Sequence, residues 1–137
     1  LTEADGRVEE RVADWIAAWN QDDEIERLRL LRRCWTENGR LTTPLVDVTG
    51  VERIAEHVSD LKELHPGYEV RRTSEIQRQF DQIRFTWQLA NADNDVALGA
   101  MDVVQIDTQC RFVRLIGFSD TLVPFPRNAV EPDAVEE

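Results

Sequence analysis

The apolar residues of this chain change their spacing once, and that change constrains the fold more than any other feature. Up to position 64 they recur at helical intervals, and after Gly67 they alternate or run in extended stretches. Val8, Val12, Trp15, Ile16 and Trp19 fall at i, i+4, i+7, i+8 and i+11, which is one stripe of a helix. Asn20-Gln21-Asp22-Asp23 interrupts that stripe and offers an acidic cap to a second helix. There Ile25, Leu28, Leu31 and Trp35 repeat the stripe, with Arg27, Arg29, Arg32 and Arg33 on other faces. Asn38-Gly39 marks a turn into a short strand, Arg40 to Thr43, closed by Pro44, and Leu45 to Val48 is extended or irregular. A third helix follows from Val51 to Leu64, with Ile54, Val58, Leu61 and Leu64 inward, and His65-Pro66-Gly67 stops it.

Four strands in sequential hairpins account for the remainder. Tyr68 to Ile76 is the first. Ile83, Phe85, Trp87 and Leu89 alternate with Arg84, Thr86 and Gln88 in the second. Asn91 to Asp95 is a polar turn into Val96 to Ile106, and Asp107-Thr108-Gln109 turns into Arg111 to Ser119. The class is therefore α+β: three N-terminal helices on the concave face of a curved, mostly antiparallel sheet. Because the last two strands are apolar on both faces, the open sheet face predicts a homodimer. The chain reads as a single domain over 1–137, with a folded core at about 8–120 and an acidic, Pro-containing tail over 121–137.

Charge removes several functions. With 16 Lys+Arg against 27 Asp+Glu the formal net charge is -11, so the chain repels phosphates and predicts neither nucleic acid nor an anionic membrane as partner. No apolar run approaches the roughly 18 residues of a spanning helix. His57 and His65 are the only histidines, and Cys34 and Cys110 have no CxxC spacing, so no metal site is expected. Without a signal-peptide pattern, a reduced cytoplasmic protein is the simplest expectation.

Two phrases carry a resemblance: Trp35-Thr-Glu-Asn-Gly-Arg40 leading to Thr43-Pro44-Leu-Val-Asp-Val-Thr-Gly50, and the segment from Met101 to Ile116. With the order of elements, they make the chain similar to the nuclear transport factor 2-like superfamily over roughly Val8 to Phe118, and most similar to SnoaL-like and ketosteroid-isomerase-like small-molecule proteins. The resemblance implies a cone-shaped α+β barrel with an apolar pocket between helices and sheet. In ketosteroid isomerases an Asp immediately before the strand-ending proline acts as the base. Thr43 stands there in this chain, and a neutral threonine cannot abstract a carbon-bound proton. Those enzymes also carry a protonated Asp that donates to the oxyanion, and Asp102 falls at that position. Limonene-epoxide-hydrolase-like members need an Arg two residues before such an Asp. Ala100 occupies that place, which argues against epoxide hydrolysis.

Asp102 stands out without any family, since it shares a strand face with Leu98, Ala100, Val104 and Ile106. A carboxylate on an apolar face is costly unless paired or protonated, so its pKa is expected to rise, and a raised acid can donate to a carbonyl oxygen. The alternative is an Asp that bonds an indole N–H and orders the core. His57 borders the inward stripe of the third helix and is the candidate proton carrier, or else a boundary residue with one hydrogen bond. Trp15, Trp19, Trp35 and Trp87 are candidate pocket walls or plain core, with about two of the four expected at the cavity. Thr43 is expected as pocket lining, Tyr68 at the pocket mouth, and Cys110, near a turn, as an accessible thiol. Two functions follow. One is a cofactor-independent isomerase, cyclase or dehydratase acting on a small apolar carbonyl or polyketide-like compound through Asp102. The other is a non-catalytic binding or accessory module.

Overall fold

The computed structural model describes residues 3–119, so the expected tail over 121–137 lies outside the described residues. The elements run α1 (Glu3–Asn20), α2 (Glu24–Cys34), β1 (Trp35–Thr42), β2 (Asp47–Thr49), α3 (Val51–Leu64), β3 (Glu69–Arg72), β4 (Gln77–Gln79), β5 (Gln82–Ala90), β6 (Val96–Ile106) and β7 (Phe112–Ser119). The strands form one curved sheet in the order β2-β1-β7-β6-β5-β3, with β4 also pairing β5. Every pairing is antiparallel except β1 with β7, which run parallel with Trp35 opposite Phe112. The sheet curves without closing, so the cone is open along one side rather than a barrel.

Local chemistry sets the element ends. Asp23 caps α2 through Oδ1, which accepts from the backbone N–H of Ile25 (2.9 Å) and Glu26 (3.1 Å). The α1 helix has no basic residue in its last turn. Arg27 supplies the missing cation: it is buried, not turned outward as its spacing implies, and donates to the carbonyl of Gln21 just past the end of α1. Asn20 then fastens that end of α1 to the sheet. Its amide donates to the Val70 carbonyl (2.9 Å) and accepts from the Val70 N–H (2.8 Å), occupying the free edge of β3 as a further strand would.

Four expectations about the elements change. The second helix ends at Cys34, and Trp35 is already extended (φ -110, ψ 148). Its side chain still points into the core, which is why the helical stripe seemed to include it. The first strand spans Trp35–Thr42 and runs through Asn38-Gly39, absorbing them in a register shift between Trp35 and Arg40. Gly39 is needed there because a Cβ would collide with the Trp35 ring. The single strand expected over Tyr68 to Ile76 is two short pieces, β3 on the far half of β5 and β4 on its near half. Finally, Ile25 and Leu64, expected inward, are among the exposed large apolar residues.

The core lies between the helices and the inner sheet face. Its centre is aromatic: Trp15 meets Trp35 edge-on at 5.7 Å between centroids, and Trp35 meets Phe112 at 5.5 Å. No helix among the described residues is long and apolar enough to cross a membrane.

Candidate functional site

The alternation of β6 turns Leu98, Asp102, Val104 and Ile106 inward, and all four are buried. Asp102 is thereby placed in mid-sheet, between Phe85 of β5 and Gly117 of β7. Only 2 % of it is exposed. Its Oδ2 accepts a hydrogen bond from Trp15 Nε1 at 3.0 Å, a contact that joins α1 to β6 across 87 positions. The Trp87 N–H leans toward the same carboxyl without reaching hydrogen-bond geometry. Burial pushes the Asp102 pKa up to about 6, against the downward pull of the two indoles. At pH 7 such a group is roughly nine-tenths carboxylate, and one unit below its pKa it is mostly acid, so it can take up and return a proton near neutrality.

Asp102 forms part of the wall of an apolar cavity that also includes Trp15, Trp19, His57, Trp87 and Thr43. The cavity is narrow: about 40 Å³ is open to the centres of water-sized spheres, space for about three waters. Its rim is formed by Pro44 and Leu45 on one side and Phe118 and Ser119 on the other, with Leu45 and Phe118 exposed. His57, on α3, meets Trp19 edge-on at 6.0 Å, and burial holds its pKa below the usual imidazole value, so it is neutral at pH 7. The indole N–H groups of Trp19 and Trp87 are buried without hydrogen-bond partners.

The structure therefore brings Asp102, His57, Trp15, Trp19, Thr43 and Trp87 to one cavity and leaves Trp35 and Tyr68 outside it. Three of the four tryptophans border it, not two. Trp35 is diverted by β1 into the aromatic core. Tyr68 lies beside His65 (5.8 Å between rings) in a separate polar groove shared with Lys62 and Asn91, just beyond the Ala90 end of β5. Cys110 is buried, which removes the expected accessible thiol. Burial also pushes the Cys34 thiol far above its usual pKa.

Thr43 has a particular orientation. Its hydroxyl oxygen accepts from the N–H groups of Leu45 (3.1 Å) and Val46 (3.2 Å), bracing the Pro44 turn, while its methyl faces Gly117. No proton acceptor is offered to the cavity from that position. Sequence reasoning missed Gly117 as a wall residue. The available signal was a glycine inside a strand, a common mark of close approach by a ligand or another group.

No model of a known protein family matches the sequence, and no curated protein matches it significantly. Solved structures do. A proposed isomerase of the SnoaL-like family from Agrobacterium tumefaciens str. C58 superposes with a TM-score of 0.77 at 30% identity, covering 84% of this chain and 98% of that one. A proposed SnoaL-like polyketide cyclase from Jannaschia sp. CCS1 gives 0.71 at 16% identity, covering 88% and 90%. An NTF2-like protein of unknown function from Cytophaga hutchinsonii ATCC 33406 gives 0.60 at 14%, covering 90% and 95%. The last two share the fold, whereas the first also shares enough sequence, over almost its whole length, to carry the assignment. With three helices on a curved open sheet and that relationship, the chain belongs to the SnoaL-like family of the NTF2-like fold.

Proposed function

We propose that the cavity binds a small apolar carbonyl compound, or the reactive end of a larger polyketide-like one, and that Asp102 moves a proton on it in an isomerase-, cyclase- or dehydratase-type step. The observation that carries this reading is a desolvated carboxyl with a pKa near 6 in the wall of an apolar cavity. As carboxylate, Asp102 takes a proton from the carbon beside the carbonyl; as acid, it returns one to the product. The N–H of Trp19, buried without a hydrogen-bond partner, supplies a donor for the carbonyl oxygen, on which negative charge grows as the proton leaves. Neutral His57 is the second candidate proton carrier. The body of a larger ligand lies across the exposed rim at Leu45 and Phe118.

The narrowness of the cavity favours a second reading, a module of the same fold that binds or assembles without turnover. One experiment decides between them. In D2O, exchange of the α-hydrogens of small cyclic ketones is followed by NMR with wild-type protein and with Asp102→Asn. The catalytic reading expects wild type to exceed the variant by about 100-fold, the lower range of general-base effects. Equal rates leave the non-catalytic module.

A homodimer through the outer sheet face belongs to this proposal. On that face Met101 pairs with Phe118 and Val103 with Ile116, an apolar patch directed away from the helices. Light scattering at micromolar concentration is expected to give twice the chain mass, and a monomeric mass overturns the dimer.

A further inference from the structure

The polar groove beyond the Ala90 end of β5 gathers side chains that are scarce in this chain. Lys62 and Tyr68, the single lysine and the single tyrosine, line it together with His65, Arg71 and Asn91. It shares no lining residue with the apolar cavity, and it offers about 370 Å³ of space where that cavity offers about 40 Å³. Openings of that size hold whole small molecules.

The donors in this groove are fixed in place and only partly used. Lys62, in the last turn of α3, has a side chain only 19 % exposed. Its ammonium carries three N–H donors, and its one ion-pair partner among the described residues is Asp22 Oδ1 at 3.4 Å, on a side chain 95 % exposed. A partner so open to water holds the lysine weakly and is readily exchanged for another anion. Asn91 sets the hydroxyl of Tyr68: its Nδ2 donates to the tyrosine oxygen at 3.5 Å, while its Oδ1 is taken by the N–H groups of Asp93 and Asp95. The Tyr68 oxygen is thus an acceptor toward Asn91, which leaves its own O–H to donate elsewhere. Arg71 adds a second cation. Its Nη1 donates to Asn94 Oδ1 (2.7 Å) and its Nη2 to the Asn91 carbonyl (3.0 Å), and both acceptors are neutral, so its charge stays available to the groove.

A flat surface stands beside these donors. His65 Nδ1 donates to the Leu61 carbonyl (3.1 Å), which fixes the imidazole, and the imidazole meets the Tyr68 ring edge-on. Asp22 and Glu69 also line the groove, and the chain carries a net charge of -11, so a doubly charged anion is opposed there more than a singly charged one. We infer that the groove is a second binding site, independent of the apolar cavity, for a small carboxylate borne on a flat ring: the carboxylate displaces Asp22 from Lys62 and accepts from the Tyr68 O–H, and the ring lies against His65 and Tyr68. Two charge-assisted hydrogen bonds then replace one solvent-swept ion pair.

The test titrates the full chain with benzoate, benzyl alcohol and inorganic phosphate at about pH 7.5, followed by NMR chemical shifts. Benzoate is expected to move the resonances of Tyr68 and Asn91 and to bind about tenfold more tightly than benzyl alcohol, which has the ring without the charge, or phosphate, which has charge without the ring. Lys62→Gln is expected to weaken benzoate about tenfold and Tyr68→Phe about fivefold, with the shifts of residues remote from the groove unchanged. Equal benzoate affinity in wild type and both variants overturns the site, as does the absence of benzoate binding by wild type up to about 10 mM. Phosphate or benzyl alcohol binding as tightly as benzoate overturns the assignment to a ring-borne carboxylate.

Discussion

Two carboxylates of one sheet show opposite treatments of the same group. Asp47, at the start of edge strand β2, is half-exposed. Arg40 holds it through both oxygens (2.8 and 2.7 Å), the Thr42 hydroxyl adds a third bond at 3.0 Å, and its pKa falls to about 2. Asp102, in the middle strand, has a single indole N–H for a partner, and its pKa rises to about 6. The difference lies in solvation. An edge carboxylate keeps water and gains donors, so ionisation is easy; a central one loses water and gains too few donors to replace it. Asp47 is therefore committed to its charge over the whole physiological range, whereas Asp102 is poised to exchange a proton. Only the second kind of carboxylate is useful for proton transfer.

The contrast can be broken most forcefully from the buried side. Trp15→Ala removes the partner of Asp102 together with a fully buried ring, and a loss of about 3–5 kcal/mol in denaturant unfolding is expected. The milder Trp15→Phe keeps most of the packing and is expected to raise the Asp102 pKa above 6 in an NMR titration.

Next in size is Asp102→Asn, and its sign is the informative part. The folded pKa near 6 lies above the reference 3.8, so the folded state binds this proton more tightly than the unfolded one. The contribution is therefore favourable at low pH and is lost as pH rises from about 4 through 6, leaving a cost of about 3 kcal/mol at pH 8. Asp102→Asn is expected to be more stable than wild type at pH 8, to lose that advantage below pH 4, and to lose any α-proton exchange. His57 works in the opposite sense, since its depressed pKa costs stability as pH falls through the unfolded value near 6.5. Asn20→Ala, which frees the edge of β3, is expected to cost about 1–3 kcal/mol. Asp47→Asn is the smallest perturbation: a change of a few degrees at most in melting temperature at low salt, vanishing at high salt.

How much of this was legible in the sequence depends on where each signal resides. Helices α1 and α3 and strand β5 announce themselves, because their apolar residues follow one period along the element, and β6 does so as a long apolar run bounded by polar turns. Gln77–Gln79 has no apolar residue and all three positions are exposed, so β4 exists only through its pairing with β5 and left no pattern to read. The end of α2 was misread because Trp35 stays buried while its backbone changes from helical to extended, and burial alone does not register that change. The site divides in the same way. Asp102 was legible, being a charge on an apolar strand face. The rim was not, because it arises where β1, β7 and the Pro44 turn converge from distant parts of the chain. Tyr68 was placed at the mouth for want of the turn geometry that carries it elsewhere.

The parallel pairing of β1 with β7 also sets an order of events. Trp35 finds its strand partner at Phe112, and Trp15 finds its acceptor at Asp102, so the first helices cannot be completed by anything the ribosome makes early. Until the last hairpin has emerged, a growing chain carries a tryptophan-rich helical pair with no sheet to receive it, and the carboxyl at position 102 has not yet met its indole. Such long-range closure predicts slow folding for a protein of this length and a need for protection during synthesis. It also means that a chain shortened before β7 lacks the cavity altogether, so the site is acquired in a single late step.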